Sequence, residues 1–161
     1  MKRSSLIALS FLVLTSVASA PLLAQGNPFV GTWKLNVAKS KFEPGPGPKS
    51  QTRTVVAQGE GAKYNFEGID ADGTPFSYSF TVNYNGKDYP ITGKGMPGGA
   101  DTIAIKRIGT NKAEATLKRS GKEIGKSQAE VSKDGTVSTV KSKGKTPDGK
   151  DYSTDSVYDK Q

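Results

Sequence analysis

The sequence predicts an all-β protein, built as a single up-and-down antiparallel β-barrel of about eight to ten strands. Residues 76–84 alternate an aromatic residue or Val with a small polar residue, which is the period of a strand with one apolar face. About ten segments of strand length follow one another at even spacing, with Gly-, Asn- or Asp-containing turns between them. After residue 24 the chain shows no convincing helical pattern.

Residues 1–24 come before this fold and have the pattern of a secretory signal peptide. A basic start is followed by an apolar stretch over residues 6–14 and by small residues at cleavage spacing. Cleavage is expected after Ala20 or after Ala24. The apolar stretch is short for a membrane span, and no second one follows it. We therefore expect an exported protein, periplasmic or extracellular, whose residues 25–161 form one barrel domain.

The strands follow in order along the mature chain. They are expected at residues 29–36, 50–58, 62–69, 74–84, 87–92, 101–108, 112–119, 122–132, 136–143 and 150–158. Asn85-Gly86 is a two-residue hairpin signal, and tight turns of this kind favour antiparallel pairing of successive strands. Closing such a meander into a barrel removes its two edges. A two-sheet sandwich is the competing architecture.

Two connections are longer than a hairpin requires. Residues 37–49 contain Pro44-Gly45-Pro46-Gly47-Pro48, which favours an extended path and leaves room for at most one helical turn around residues 38–42. Residues 93–100 are a glycine-rich loop. This loop lacks the Gly-Lys-Ser/Thr ending of a phosphate-binding loop, and no helix pattern follows it.

Composition excludes several kinds of chemistry. The chain has no cysteine and no histidine, so disulfides, thiol nucleophiles, histidine bases and the usual zinc sites are absent. Asp70 and Asp72 are better explained by a β-turn than by a calcium loop. We therefore predict no cofactor, no metal and no enzymatic activity. An enzyme that relies on carboxylates and tyrosines alone is the weaker alternative.

The formal net charge is +8, and it falls to +6 without residues 1–24, with 21 Lys and Arg against 15 Asp and Glu. The lysines are spread along the chain rather than gathered in one block. This pattern indicates a solvated basic surface with a weak attraction to anionic surfaces, and no nucleic-acid partner.

Aromatic residues supply the candidate binding site. On the strands at 62–69 and 74–84 they share one face, which points inward if the sheet closes. A tyrosine hydroxyl inside a barrel needs a hydrogen-bond partner, and a ligand is one such partner. A basic residue, Arg107, continues the face of Ile103 and Ile105. The predicted ligand-binding residues are Tyr64, Phe66, Tyr78, Phe80, Tyr84, Arg107 and Tyr158.

Both ends of the mature chain resemble the calycins, the superfamily of lipocalins and cytosolic fatty-acid-binding proteins. "NPFVGTWKL" resembles their first strand with its G-x-W signature, and "DSVYDKQ" resembles the closing strand of the fatty-acid-binding proteins. "GTWKLNVAKSKF" is also similar to a run in small exported bacterial lipocalin-like proteins. The resemblance implies a ligand-binding barrel in which Gly31 and Trp33 are structural.

Two features depart from the fatty-acid-binding proteins. Their first strand is followed by a helix-turn-helix lid, for which residues 37–49 are too few. Their closing strand grips the fatty-acid carboxylate with an arginine and a tyrosine, but this chain has Ser156 at the arginine position and keeps only Tyr158. We therefore expect a barrel without a helical lid and with a different anchor for any acid group.

Two functions from different classes remain. The first is an exported binding protein that holds a small apolar or amphipathic molecule inside the barrel. The second is a filled barrel that acts as an interaction module, binding a protein or an anionic polysaccharide through its basic outer surface.

Overall fold

The computed structural model describes residues 26–161, which form twelve strands and two short 3-10 helices. The strands are β1 Gly31–Leu35, β2 Lys41–Glu43, β3 Ser50–Gln58, β4 Gly61–Ile69, β5 Pro75–Val82, β6 Asn85–Pro90, β7 Thr92–Lys94, β8 Thr102–Arg107, β9 Lys112–Arg119, β10 Lys122–Val131, β11 Val137–Lys145 and β12 Asp151–Lys160. The 3-10 helices are Val37–Lys39 and Pro97–Gly99. The predicted signal peptide, residues 1–24, lies outside the described residues.

All ten predicted strands are present, and β2 and β7 are two short additions. Every pairing is antiparallel, in the order β6-β8-β9-β10-β11-β12-β1-β3-β4-β5-β7, with β2 beside β12. The outermost strands of this order, β6 and β7, are separated in the chain by Ile91 alone. The segment 85–94 therefore joins both edges of the sheet and nearly closes it. The predicted all-β, up-and-down barrel is confirmed.

The predicted hairpin at Asn85-Gly86 differs from the structure. β5 and β7 are aligned as a two-residue turn there would align them, with Ser79 opposite Thr92. Near the turn, however, β6 is hydrogen-bonded to β8 instead of β5. Tyr84, two residues after the end of β5, has a φ of 53°, and its hydroxyl lies 2.7 Å from that of Tyr64, so its side chain faces inward just before β6 begins. β5 and β6 are therefore splayed apart, and on this side of the sheet β5 pairs only with β7.

The connection between β1 and β3 contains no helical lid, as predicted. It consists of the 3-10 turn Val37–Lys39, the short strand β2 and an irregular Pro/Gly segment. β1 and β2 lie end to end along β12, and Asn36 N donates to Val157 O at 2.8 Å between them. Within residues 26–161, no helix has the length and apolarity needed to cross a bilayer.

The tightest part of the core lies at the end of the barrel where the chain enters, which we call the N-terminal end. Five fully buried side chains lie near this end: Trp33, Val55, Val82, Val131 and Ser138. Phe29, in the segment before β1, is only 2% exposed, and its carbonyl accepts a hydrogen bond from Trp33 Nε1 at 2.9 Å. Residues 26–30 therefore plug this end, and Trp33 forms part of the barrel floor.

Gly61, at the start of β4, provides a test of this packing. A Cβ atom at Gly61 would collide with the carbonyl group of Val82 on β5, whereas one at Gly59, in the same turn, would meet nothing within 4 Å. We expect Gly61→Ala to lower the free energy of unfolding by about 3 kcal/mol, because backbone must move to admit the methyl group. Gly59→Ala should cost about 1 kcal/mol, from its positive φ alone. Urea denaturation of both variants checks the difference, and equal losses would contradict the assigned contact.

Candidate binding site around a buried arginine

The predicted aromatic residues of β4 and β5 all face the barrel interior. Tyr64 is opposite Phe80 and Phe66 is opposite Tyr78, in the register of the two strands. The ring centroids are 5.0 Å apart in the first pair and 4.6 Å in the second, and both pairs are stacked. Tyr64, Tyr78 and Phe80 are buried, whereas Phe66 is half-buried. These residues therefore form one continuous aromatic wall.

Tyr84 and Arg107 meet at the N-terminal end of this wall. The guanidinium carbon of Arg107 lies 4.8 Å from the centroid of the Tyr84 ring, and an Arg107 nitrogen donates to the Asn27 side chain. Asn27 Nδ2 donates in turn to the Tyr84 hydroxyl at 3.0 Å, and that hydroxyl is hydrogen-bonded to Tyr64. Arg107 faces inward, as predicted, but the plug segment occupies one of its donors.

Tyr158, on β12, is linked to the aromatic wall through Gln51. The Tyr158 hydroxyl donates to Gln51 Oε1 at 2.7 Å, and Gln51 Nε2 donates to the Tyr78 hydroxyl at 3.4 Å. Tyr158 is 5% exposed. The structure thus brings together the seven predicted residues around one interior. Five of them belong to two hydrogen-bonded groups, and the two phenylalanines stack on tyrosines of these groups.

Between these two groups lies a residue that the sequence analysis missed, Arg53 on β3. Its side chain is 4% exposed, and its guanidinium carbon lies 4.5 Å from the Tyr158 ring centroid and 5.4 Å from that of Trp33. One terminal nitrogen donates to Ser138 Oγ at 2.8 Å, whereas Nε is buried without a hydrogen-bond partner. None of the ion pairs among residues 26–161 includes this arginine.

A buried cation without a counter-ion is energetically unfavourable. Removing a charge from water costs several kcal/mol unless an opposite charge or a full set of hydrogen bonds replaces the water. Burial lowers the pKa of the Arg53 guanidinium, but arginine stays protonated in proteins. Two aromatic faces and one serine hydroxyl offset only part of this cost. Arg53 therefore has the properties of an anion-binding group.

A sequence signal for Arg53 does exist in the β3–β4 hairpin. Directly opposed residues in antiparallel strands lie on the same face of the sheet. The turn at Gly59-Glu60 places Arg53 opposite Phe66 and Val55 opposite Tyr64. An inward aromatic face on β4 therefore implies an inward Arg53. The exposed Val56, on the other face of β3, hides this signal in the hydropathy pattern.

The opposite wall of the interior is built from small residues. The inward faces of β9 to β12 carry Ala, Ser, Thr and Val side chains that are only half-buried: Ala115, Ser127, Ala129, Val140, Ser142 and Thr154. Ser142 Oγ donates to Ser127 Oγ at 3.1 Å. These small side chains fill less of the interior than the aromatic rings of the facing wall do. Phe66 and Phe76 are half-buried on the facing wall.

No family model and no curated protein sequence matches this chain. Among solved structures, the chain is similar to zebrafish ileal bile acid-binding protein complexed with cholic acid, with 13% identity over 83% of this chain and 99% of that chain and a TM-score of 0.49. It is also similar to a redesigned β-barrel, mFAP0, bound to DFHBI, with 15% identity over 83% of this chain and 99% of that chain and a TM-score of 0.41. The function has to be argued from the residues of this chain. No cluster of metal-ligating side chains occurs among residues 26–161.

The buried tyrosines give stability a defined pH dependence. Burial raises the pKa of Tyr64, Tyr78 and Tyr158 in the folded protein, whereas tyrosines of an unfolded chain ionise near pH 10. Below about pH 10 both states keep these protons, and above it only the unfolded state releases them, so stability falls as pH rises. We expect urea denaturation to show this decline, with a shallower slope for Tyr158→Phe. A free energy of unfolding that stays constant through this range would contradict the burial of these hydroxyls.

The unpaired charge gives a second prediction. Replacing both partners, Arg53→Met with Ser138→Ala, removes the buried cation without leaving the serine unsatisfied. We expect the unliganded protein to gain about 1 to 3 kcal/mol in free energy of unfolding. Arg107→Met is the matched control, and it should lose stability because the Asn27 side-chain oxygen loses one of its two donors. Thermal and urea denaturation measure both changes, and a destabilised double variant would contradict the unfavourable burial of Arg53.

Proposed function

We propose that this protein binds a small amphipathic molecule with an anionic group inside the barrel, and that Arg53 anchors the anion. One observation carries the proposal: the buried guanidinium of Arg53 has no carboxylate partner among residues 26–161, and its Nε is unpaired there, beside the rings of Trp33 and Tyr158. A carboxylate, sulfate or phosphate group would supply the missing counter-charge through charge-assisted hydrogen bonds.

The apolar part of such a ligand would lie between the two walls of the interior. Phe66 and Phe76 offer half-buried aromatic surface on one side, and Ala115, Ala129 and Val140 offer half-buried aliphatic surface on the other. Covering this surface removes apolar area from water, which contributes about 25 cal/mol for each Å2. The aromatic and aliphatic walls would supply affinity, and Arg53 would supply selectivity for an acid.

Hydroxyl and amide groups around Arg53 complete this site. The Gln51 amide joins the Tyr158 and Tyr78 hydroxyls beside the guanidinium. Each hydroxyl can donate to an anion when its present partner is displaced. The raised pKa values of Tyr78 and Tyr158 keep both hydroxyls protonated and therefore able to donate. A ligand anion would thus meet one cation and neutral donors, with no competing carboxylate among the contacts of Arg53.

We further propose that the barrel works outside the cytoplasm, in the periplasm or beyond the cell. The basic start, apolar stretch and small-residue cleavage pattern of residues 1–24 support export. The absence of cysteine is compatible with any redox compartment. N-terminal sequencing of the secreted protein would distinguish cleavage after Ala20 from cleavage after Ala24.

Binding of dodecanoate and of dodecanol, measured by calorimetry, separates the contributions of charge and of apolar burial. We expect dodecanoate to bind more tightly, and Arg53→Gln to weaken it about 10- to 100-fold while leaving dodecanol nearly unchanged. Lys63→Gln, an exposed lysine on the adjacent strand β4, is the control with the same loss of charge.

Two outcomes would contradict parts of the proposal separately. Equal losses for both ligands would show that Arg53 supports the interior without contacting the anion. Failure of both ligands to bind the wild-type protein would instead favour the filled barrel that acts only through its outer surface.

A further inference from the structure

The outer face of β2 and β9–β12 carries two adjacent grooves. The first, of about 800 Å3, crosses all five strands, and the second, of about 910 Å3, lies beside it over β10, β11 and β12. Outward-facing side chains of two cross-strand rows line the first groove, and the inward-facing residues Ala115, Ser127, Ser142 and Thr154 lie between these rows as its floor, so the groove lies on the outer surface. It is separate from the interior around Arg53.

Two cross-strand rows of side chains form the walls of the first groove. In strand register, one row consists of Glu114, Gln128, Lys141, Asp155 and Lys41, and the next consists of Thr116, Lys126, Lys143, Ser153 and Glu43. Four members of the second row, Lys126, Lys143, Ser153 and Glu43, also line the second groove. This row is therefore a ridge between the grooves, and we call it the lysine ridge.

The lysine ridge places two like charges side by side. Lys126 and Lys143 are directly opposite each other on β10 and β11, an arrangement that is destabilising between antiparallel strands. On β11, the flanking lysines Lys141 and Lys145 each have an aspartate of β12 opposite them. Lys143 has Ser153 opposite instead, and it forms no ion pair among the described residues.

The remaining groups of the first groove restrict the chemistry of a partner. Glu43, Glu114 and Asp155 accept hydrogen bonds from hydroxyl groups but repel a continuous run of phosphates. The large exposed apolar residues of the described chain, Val37, Val56, Ile69 and Ile108, lie outside both grooves. The lining of the first groove contains no large apolar side chain, whereas the second groove includes Pro44, Ile124 and Tyr152. The first groove thus offers no anchor for a lipid surface or for an apolar peptide side chain. A hydroxyl-rich chain with intermittent acid groups matches both the acceptors and the two lysines.

We propose that the first groove binds an anionic polysaccharide, with its acid groups on Lys126 and Lys143 and its hydroxyls on the neighbouring polar side chains. At about 4.8 Å between strands, five strands span roughly 19 Å, which suits an extended polymer rather than a single small anion. This surface does not depend on the interior site. The barrel is thereby able to remain on a glycan matrix while its interior is free or occupied.

Binding of hyaluronan oligosaccharides, in which a uronic acid alternates with an uncharged N-acetyl sugar, tests this proposal, with neutral dextran as the comparison polymer. We expect Lys126→Gln with Lys143→Gln to weaken hyaluronan binding about tenfold. Lys63→Gln with Lys106→Gln, exposed lysines on β4 and β8, should change it less than about twofold. Rising salt should weaken binding to the wild-type protein, and dextran should bind only weakly at any salt concentration.

Folding of the groove variant is checked independently, because removing the repulsion between Lys126 and Lys143 should leave its melting temperature unchanged or higher. Equal losses for the two double variants would overturn the proposal in favour of nonspecific charge attraction. Absence of hyaluronan binding would also overturn it, as would tighter binding to single-stranded DNA or to phosphatidylglycerol vesicles at the same salt concentration.

Discussion

Antiparallel register is the constraint on which the rest of this structure depends. Each strand is a single layer with one inward and one outward face, so the pairing of one hairpin decides the surroundings of every side chain along it. The turn at Gly59-Glu60 sets Val55 against Tyr64 and, two residues further, Arg53 against Phe66. A slip of β3 by one residue against β4 would expose Val55 to water and would move Arg53 to the outer surface. The apolar residues of this hairpin therefore hold the buried charge in place.

The barrel interior combines a bulky wall with a wall of small residues, and this difference explains where space remains. Stacked rings of β4 and β5 fill their side, while Ala and Ser side chains on β9 to β12 leave theirs half-buried. The plug formed by Phe29 and Trp33 fills the N-terminal end. The small-residue wall beyond the plug is thus the part of the barrel whose side chains fill the interior least.

Much of this fold was predictable from sequence because local signals and global closure agree. Alternation in residues 76–84 and turn residues between strands identified ten strands, and the G-x-W segment identified the first of them. The separation of β6 from β5 was not predictable, because the Asn85-Gly86 signal is local. The pairing of β6 with β8 depends instead on the closure of the whole sheet. Arg53 was missed because hydropathy treats a charged residue as outward, although its partner across the strand was correctly assigned inward.

Arg53, inside the barrel, and Lys143, on its outer surface, both lack a counter-ion on the neighbouring strands. Each is a cation whose strand neighbours supply no carboxylate, whereas Lys141 and Lys145, two residues on either side of Lys143, have aspartates opposite them. The free energy involved differs, because water screens the lysine and is excluded from the arginine. A partner at Arg53 would therefore change both affinity and stability strongly, whereas a partner at the lysine ridge would bind weakly at each contact and depend on several contacts along one polymer. The inward face of the sheet is thus suited to holding one small molecule, and the outward face is suited to reversible attachment.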